Sequence, residues 1–178
     1  MKLTVIRHTA VDVPQGICYG FTDVALKSSF PAEAETVKNR LADKTFDRIY
    51  SSPLSRCTLL AGYCGYVPAV DVRLKELNFG DWEMKSWMEI DKQEATDWFA
   101  DWLNYPAKNG ESYRMMQQRV YAFMDELKSS GAQSVCIFTH GGVIRLIHVY
   151  LGLLSIEDSF EVPVEYGQIF EFTFQLVC

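Results

Sequence analysis

Leu3-Thr4-Val5-Ile6-Arg7-His8-Thr9, at the start of a 178-residue chain, is the stretch that decides the fold class. Four strand-forming, mostly apolar residues run directly into an arginine and a histidine. A strand covered on both faces reads as a short continuous apolar run, the habit of parallel sheets in α/β proteins. Ligands of open α/β sheets sit outside the carboxyl ends of the strands. Arg7 and His8 occupy such an end. A second run of this kind, Ser134-Val135-Cys136-Ile137-Phe138-Thr139, delivers His140. If both strands are parallel neighbours, both histidines open onto one edge of the sheet.

Between these two strands the pattern alternates. Ala34, Val37 and Leu41 place a helix over 31–44, and Asp47 to Ser51 read as a strand. Ser52-Pro53 follows as a helix start, with serine as N-cap and proline in the first turn. The helix it opens carries Leu54, Leu59, Leu60 and Tyr63 and ends at Gly65. A short strand at 69–72 leads to Glu76. The segment from Trp82 to about Tyr105 reads as helical and holds all four tryptophans, Trp82, Trp87, Trp98 and Trp102. Tyr113, Met116, Val120, Phe123 and Leu127 make one apolar stripe of a helix over 110–128, which is core packing. Gly141-Gly142 opens an apolar helix to Leu151 that Gly152 stops. A last strand over 167–176 sets Phe170, Phe172 and Phe174 on one buried face. The expectation is an α/β three-layer sandwich: a mostly parallel central sheet flanked by helices, in one domain over 1–178, with a small helical lid subdomain inserted at about 82–112.

A net charge of −6 and a pI near 5.1 exclude an electrostatic nucleic-acid binder, though not a local basic pocket. Cys18, Cys57, Cys64, Cys136 and Cys178 are odd in number and contain no Cys-x-x-Cys pair. Reduced thiols in a cytoplasm fit that better than a disulfide framework or a zinc site. The apolar start is too short for a signal peptide, and no stretch approaches a membrane span, so a cytoplasmic monomer or homodimer without membrane contact is expected.

Around the two histidines the sequence collects groups suited to phosphate. Arg7 and Arg56 can fork onto phosphoryl oxygens in a way lysine cannot. The Gly141-Gly142 helix start offers backbone N–H groups and a dipole end. His148, inside the last helix, reads as a core histidine. With no Walker loop and no metal-ligand spacing, the set points to phosphoryl transfer to an imidazole nitrogen, requiring no cofactor or metal. Glu76 is the carboxylate placed to protonate the leaving oxygen, since it is expected to hold its proton beside a bound phosphate dianion.

Five motifs together resemble the histidine phosphatase superfamily, the phosphoglycerate mutase-like proteins. They are Ile6-Arg7-His8-Thr9, Tyr50-Ser51-Ser52-Pro53-Leu54-Ser55-Arg56, the run from Leu74 to Glu83, Gly110-Glu111-Ser112, and Thr139-His140-Gly141-Gly142-Val143. They occur in family order over nearly the whole chain. The resemblance implies His8 as nucleophile, Arg7, Arg56 and His140 as the rest of the phosphate pocket, and Glu76 as proton donor. Thr9 stands where the family most often has glycine, Pro14 near a phosphate-binding asparagine, Ile17 near a mutase arginine and Phe79 in place of a mutase tyrosine. The chain is also too short for the mutase insertion. These departures favour a phosphomonoesterase over a mutase. The run Gly16 to Asp23 with Val24-Ala25-Leu26 is similar to the α-ribazole phosphatase branch, which acts in assembly of the cobalamin nucleotide loop.

The expected substrate is therefore a small phosphorylated molecule, held by Arg7, Arg56, His140, Gly141, Thr9 and Tyr19. One tryptophan of the 82–105 segment is a candidate to stack on an aromatic leaving group, against the plainer alternative of packing alone. Broad-specificity or phosphohistidine-protein phosphatases are alternatives within the family. A non-catalytic phosphate-binding module and a metal-dependent hydrolase are alternatives outside this chemistry.

Overall fold

A computed structural model describes residues 1–173 and places the two histidine-terminated strands side by side. Strand β1 (Lys2–Arg7) pairs in parallel with β4 (Ser134–Thr139), with Arg7 opposite Thr139. On its other side β4 pairs in parallel with β2 (Arg48–Ser51), and β2 with the two-residue β3 (Ala69–Val70). Strand β5 (Ile169–Thr173) closes the other edge antiparallel to β1. The order among the described residues is β3-β2-β4-β1-β5, a mostly parallel sheet.

Alternation along the strands builds two cores, one per face. Ile6, Cys136 and Phe138 meet Val37 and Leu41 of α1 (Phe30–Leu41) and Cys57 and Leu60 of α2 (Ser55–Tyr63). Leu3, Val5, Val135 and Ile137 face the opposite layer. That layer contains α4 (Tyr113–Ser129), whose Met116, Val120, Phe123 and Leu127 stripe is buried as its spacing requires, and α5 (Gly141–Tyr150). The Ser112 hydroxyl accepts from the Met115 N–H and so caps α4.

Three expectations change in detail. Helix α2 starts at Ser55 rather than after Ser52, because Asp23, from a distant loop, accepts the Ser55 N–H (2.9 Å) and hydroxyl (2.8 Å). Ser52 is left for another task. The tryptophan segment is helical only over α3 (Lys92–Ala100), where Asp91 caps the first turn; turns and a short 3-10 stretch at Gly80–Trp82 make up much of the rest. Phe170 and Phe172 are only half-buried, since β5 is an edge strand whose rings meet the side of His148 (5.2 and 4.9 Å). Phe174, Leu176 and Cys178 lie outside the described residues. The four other cysteines are free thiols, and no described helix is long and apolar enough to cross a membrane.

Candidate functional site

Parallel pairing of β1, β4 and β2 sends three chain segments off one edge of the sheet. The His8 N–H donates to Thr139 O and the Ser52 N–H to Phe138 O, which extends the strand register one step further. His8, His140 and Ser52 therefore stand in a row. The two imidazoles meet edge to face at 5.1 Å between centroids, and His140 bonds Ser52 Oγ through Nε2 at 2.8 Å.

Hydrogen-bond partners assign the tautomers. His8 Nδ1 lies 2.8 Å from the Thr9 carbonyl, which only accepts, so Nδ1 carries the proton and Nε2 keeps its lone pair. Arg56 Nε donates to His140 Nδ1 (3.3 Å), so His140 carries its proton on Nε2 and donates it to Ser52. Burial, reinforced by Arg56, holds His8 well below the ordinary imidazole pKa. Burial, then His8 and Arg56, does the same to His140. Both rings are neutral at pH 7, and His8 Nε2 is a nucleophile without further deprotonation.

Arg56 is fully buried, and its guanidinium is shared among fixed acceptors: His140, the Thr22 carbonyl (2.9 Å) and the Gly20 carbonyl (2.6 Å). The same loop presents its N–H groups to Glu83, which accepts from Gly20, Phe21 and Thr22 at 2.9–3.0 Å and from Phe79 at 3.1 Å. Burial alone would raise the Glu83 pKa, but the bonds from Thr22, Gly20 and Phe21 outweigh it and leave it below the ordinary value. Peptides 20–22 thus lie between an anion and a cation. Gly20 must lack a side chain, because a Cβ there would stand 1.8 Å from Leu77 O.

Glu76 is set from two sides. Arg119 donates to the carbonyls of Arg73, Lys75 and Glu76 at 2.7–2.8 Å and is ion-paired to Glu111, which fixes the turn that carries Glu76. The Glu76 carboxylate accepts from the N–H of Leu77 (3.0 Å) and of Gly142 (3.1 Å). The N–H group at the start of α5 that sequence reasoning gave to phosphate therefore bonds the Glu76 side chain here. A Cβ on Gly142 would fall 2.3 Å from Glu76 Oε1.

These groups open into a cavity of about 730 Å³ with two kinds of lining. Arg7, His8, Arg56, Glu76 and Arg145 supply charge and imidazole, together with Tyr19. Phe79, Trp87, Trp98, Trp102 and Phe160 supply aromatic rings, the last of them 5.4 Å under the Arg145 guanidinium. Three of the four tryptophans line the cavity, whereas Trp82 is core, its Nε1 donating to Glu94 (3.0 Å). Tyr166, on the loop before β5, stacks under the Arg7 guanidinium at 4.0 Å and bonds Tyr19 Oη at 2.9 Å.

Of the residues expected from sequence, Arg7, His8, Tyr19, Arg56 and Glu76 reach this wall. His140, Thr9 and Gly141 are buried behind it. His140 acts on His8 and Arg56, and Thr9 supplies the carbonyl that orients His8, while its hydroxyl has no hydrogen-bond partner. Arg145, Tyr166, Ser52 and the structural use of Glu83 escaped sequence reasoning. Arg145 had a signal, standing one helical turn after Gly141. Tyr166 had none, because its place depends on where the chain returns after α5.

Comparison with known proteins agrees with this geometry. The family model for the histidine phosphatase superfamily (branch 1) matches residues 3–176. A Hydrogenobacter thermophilus protein with the provisional name phosphoserine phosphatase 2 is 28% identical, over 96% of this chain and 88% of its own. The adenosylcobalamin/alpha-ribazole phosphatase of Salmonella typhimurium is 28% identical, over 94% and 87%. The solved alpha-ribazole phosphatase of Shigella flexneri superposes with a TM-score of 0.88 at 26% identity, over 98% of this chain and 91% of that one.

Proposed function

Because the chain belongs to the histidine phosphatase superfamily, we propose that it is a phosphomonoesterase working through a phosphohistidine on His8, with α-ribazole 5′-phosphate as its substrate. The observation that carries the reading is one cavity lined both by cationic and imidazole groups and by aromatic rings. The former recognise a phosphoryl group. The latter give a benzimidazole nucleoside rings to stack on, which a small polar alcohol would leave unused.

In the first step His8 Nε2 attacks phosphorus. The new P–N bond forms as the bond to the ester oxygen breaks, and Glu76 gives its proton to that oxygen. In the second step water attacks the phosphohistidine, Glu76 takes the water's proton, and the P–N bond breaks to release inorganic phosphate. Arg7 neutralises the transferring charge from the cavity side. Arg56, on the same wall, has further N–H groups for that charge, while its bonds to His140 and to the Gly20 and Thr22 carbonyls hold it in place. His140 packs against the His8 ring from behind. No residue in this scheme calls for a cofactor, and the four free thiols among the described residues suit a cytoplasmic location.

Steady-state kinetics test the substrate. The kcat/KM for α-ribazole 5′-phosphate should exceed those for phosphoserine, sugar phosphates and phosphoglycerates. Phosphoserine is the competing reading because of the Hydrogenobacter relative. A preference for phosphoserine would overturn the assignment while leaving the chemistry intact.

A further inference from the structure

Arg7 stands beside the nucleophile, and no carboxylate answers its charge: none of the ion pairs among the described residues includes it. Its planar fork serves a phosphoryl group only when held in one direction. The hydrogen bond and the ring contact on its side chain both come from one segment, the return of the chain ahead of β5. The Val164 carbonyl accepts from Arg7 Nη1, and the Tyr166 ring lies under the guanidinium, 4.0 Å from Cζ to centroid. The same segment grips the neighbouring backbone. The Arg7 N–H donates to Gln168 O at 3.1 Å, and the Gly167 N–H donates to His8 O at 3.1 Å.

A carboxylate and an aromatic face tether a guanidinium differently. A carboxylate in this place would fix Arg7 and also cancel the charge that the transferring group needs. An aromatic face attracts the cation through its quadrupole and leaves that charge in place. Tyr166 is itself tied down, its hydroxyl bonded to Tyr19 Oη at 2.9 Å across 147 positions of sequence. The residue is 40% exposed, so core burial does not account for its position. Nor does direct contact with the cavity, whose lining does not include it. Its remaining neighbour at the site is the His8 ring, at 5.6 Å between centroids.

We propose that Tyr166 is a positioning residue for phosphoryl transfer, its ring face holding Arg7 aimed at the phosphoryl oxygens without neutralising it. The face carries the role, and the hydroxyl fixes the ring through Tyr19. The inference rests on the phosphatase reading above and deepens it, by assigning what aims the arginine next to the nucleophile.

The test compares wild type with Tyr166→Leu and Tyr166→Phe, using p-nitrophenyl phosphate as substrate and inorganic phosphate and the phosphate-free nucleoside α-ribazole as inhibitors. Tyr166→Leu loses both the face and the hydroxyl, and should weaken phosphate inhibition and lower kcat/KM by about 5- to 50-fold. Tyr166→Phe keeps the face and loses one exposed hydrogen bond, so it should recover to within about 3-fold of wild type. Inhibition by the nucleoside should stay within about 2-fold in both, because the rings that meet it do not include Tyr166. Unchanged phosphate inhibition in Tyr166→Leu would overturn the proposal, even with a lowered kcat, which would place the ring's action on His8. Tyr166→Phe as impaired as Tyr166→Leu would assign the effect to the Tyr19 bond and also overturn it. So would equal weakening of phosphate and nucleoside, the mark of a general disturbance. If Tyr166→Leu does not fold, Tyr166→Met takes its place. If wild type hydrolyses no phosphomonoester at all, the phosphatase reading fails, and calorimetric phosphate binding by the same variants still decides the role of Tyr166.

Discussion

Replacing Gly142 with alanine should separate the proton-transfer role of Glu76 from the rest of the site. The added Cβ would stand 2.3 Å from Glu76 Oε1 and 3.1 Å from Met116 Cε. Ordinary carbon–oxygen contact needs roughly 1 Å more, so the carboxylate must swing away and give up its 3.1 Å bond from the Gly142 N–H. A misplacement of about 1 Å costs on the order of 100-fold, or about 2.7 kcal/mol of barrier, within the range attributed to a general acid. The loss should depend on the leaving group. An alkyl phosphate, whose alkoxide needs the proton, should lose about 100-fold in kcat. p-Nitrophenyl phosphate, whose phenolate leaves unaided, should lose about 10-fold or less in the phosphorylation step. Alanine is the better helix former by up to about 1 kcal/mol, and the displaced atom ends a flexible side chain, so the melting temperature should hardly move. Full activity of Gly142→Ala on both substrates would refute the placement of Glu76. An equal loss on both would refute its role as the acid.

Three further outcomes follow from the same geometry. Trp102→Ala should raise KM for α-ribazole 5′-phosphate about 10-fold, the scale of one lost base–aromatic stack, and leave a small alkyl phosphate unchanged; a parallel loss on both substrates would reduce the tryptophan to packing. Glu83→Gln removes the anion that four backbone N–H groups address, and denaturant unfolding should report a loss of about 1–3 kcal/mol. His8 and His140 are held below their unfolded pKa of about 6.5. The unfolded chain therefore takes up protons first as pH falls: the stability these rings contribute is whole above pH 6.5 and is lost below it, by up to about 2.7 kcal/mol per pH unit for the pair. His140→Gln should roughly halve that slope in pH-dependent melts, and an unchanged slope would show that the rings do not titrate as their burial requires.

What the sequence revealed and what it withheld divide along physical lines. β1 and β4 were readable because both faces of each are covered, leaving an uninterrupted apolar run. The stripe of α4 was readable because one face of a long helix has a fixed period. His8 and His140 then followed, since strand ends in a parallel sheet share an edge. The start of α2 was misread because its cap comes from Asp23, 32 positions away, which local capping patterns do not encode. The helical extent of the tryptophan segment was overestimated because those rings pack on one another as a cluster and do not need a continuous helix to bury themselves. Arg56 lines the cavity, as its type suggests, but its bonds to the carbonyls of Gly20 and Thr22 were not legible, because loop carbonyl directions leave no trace in residue type. Tyr166 was invisible because its place depends on where the chain returns after α5.

The central claim is that the phosphoryl group passes through Nε2 of His8, and rapid quenching with 32P-labelled substrate tests it most directly. An acid-labile, base-stable label should appear within the first turnover, map to His8, and occupy the nitrogen remote from the Thr9 carbonyl. It should vanish together with turnover in His8→Ala. Full turnover in His8→Ala, or a label on any other residue, would contradict the account.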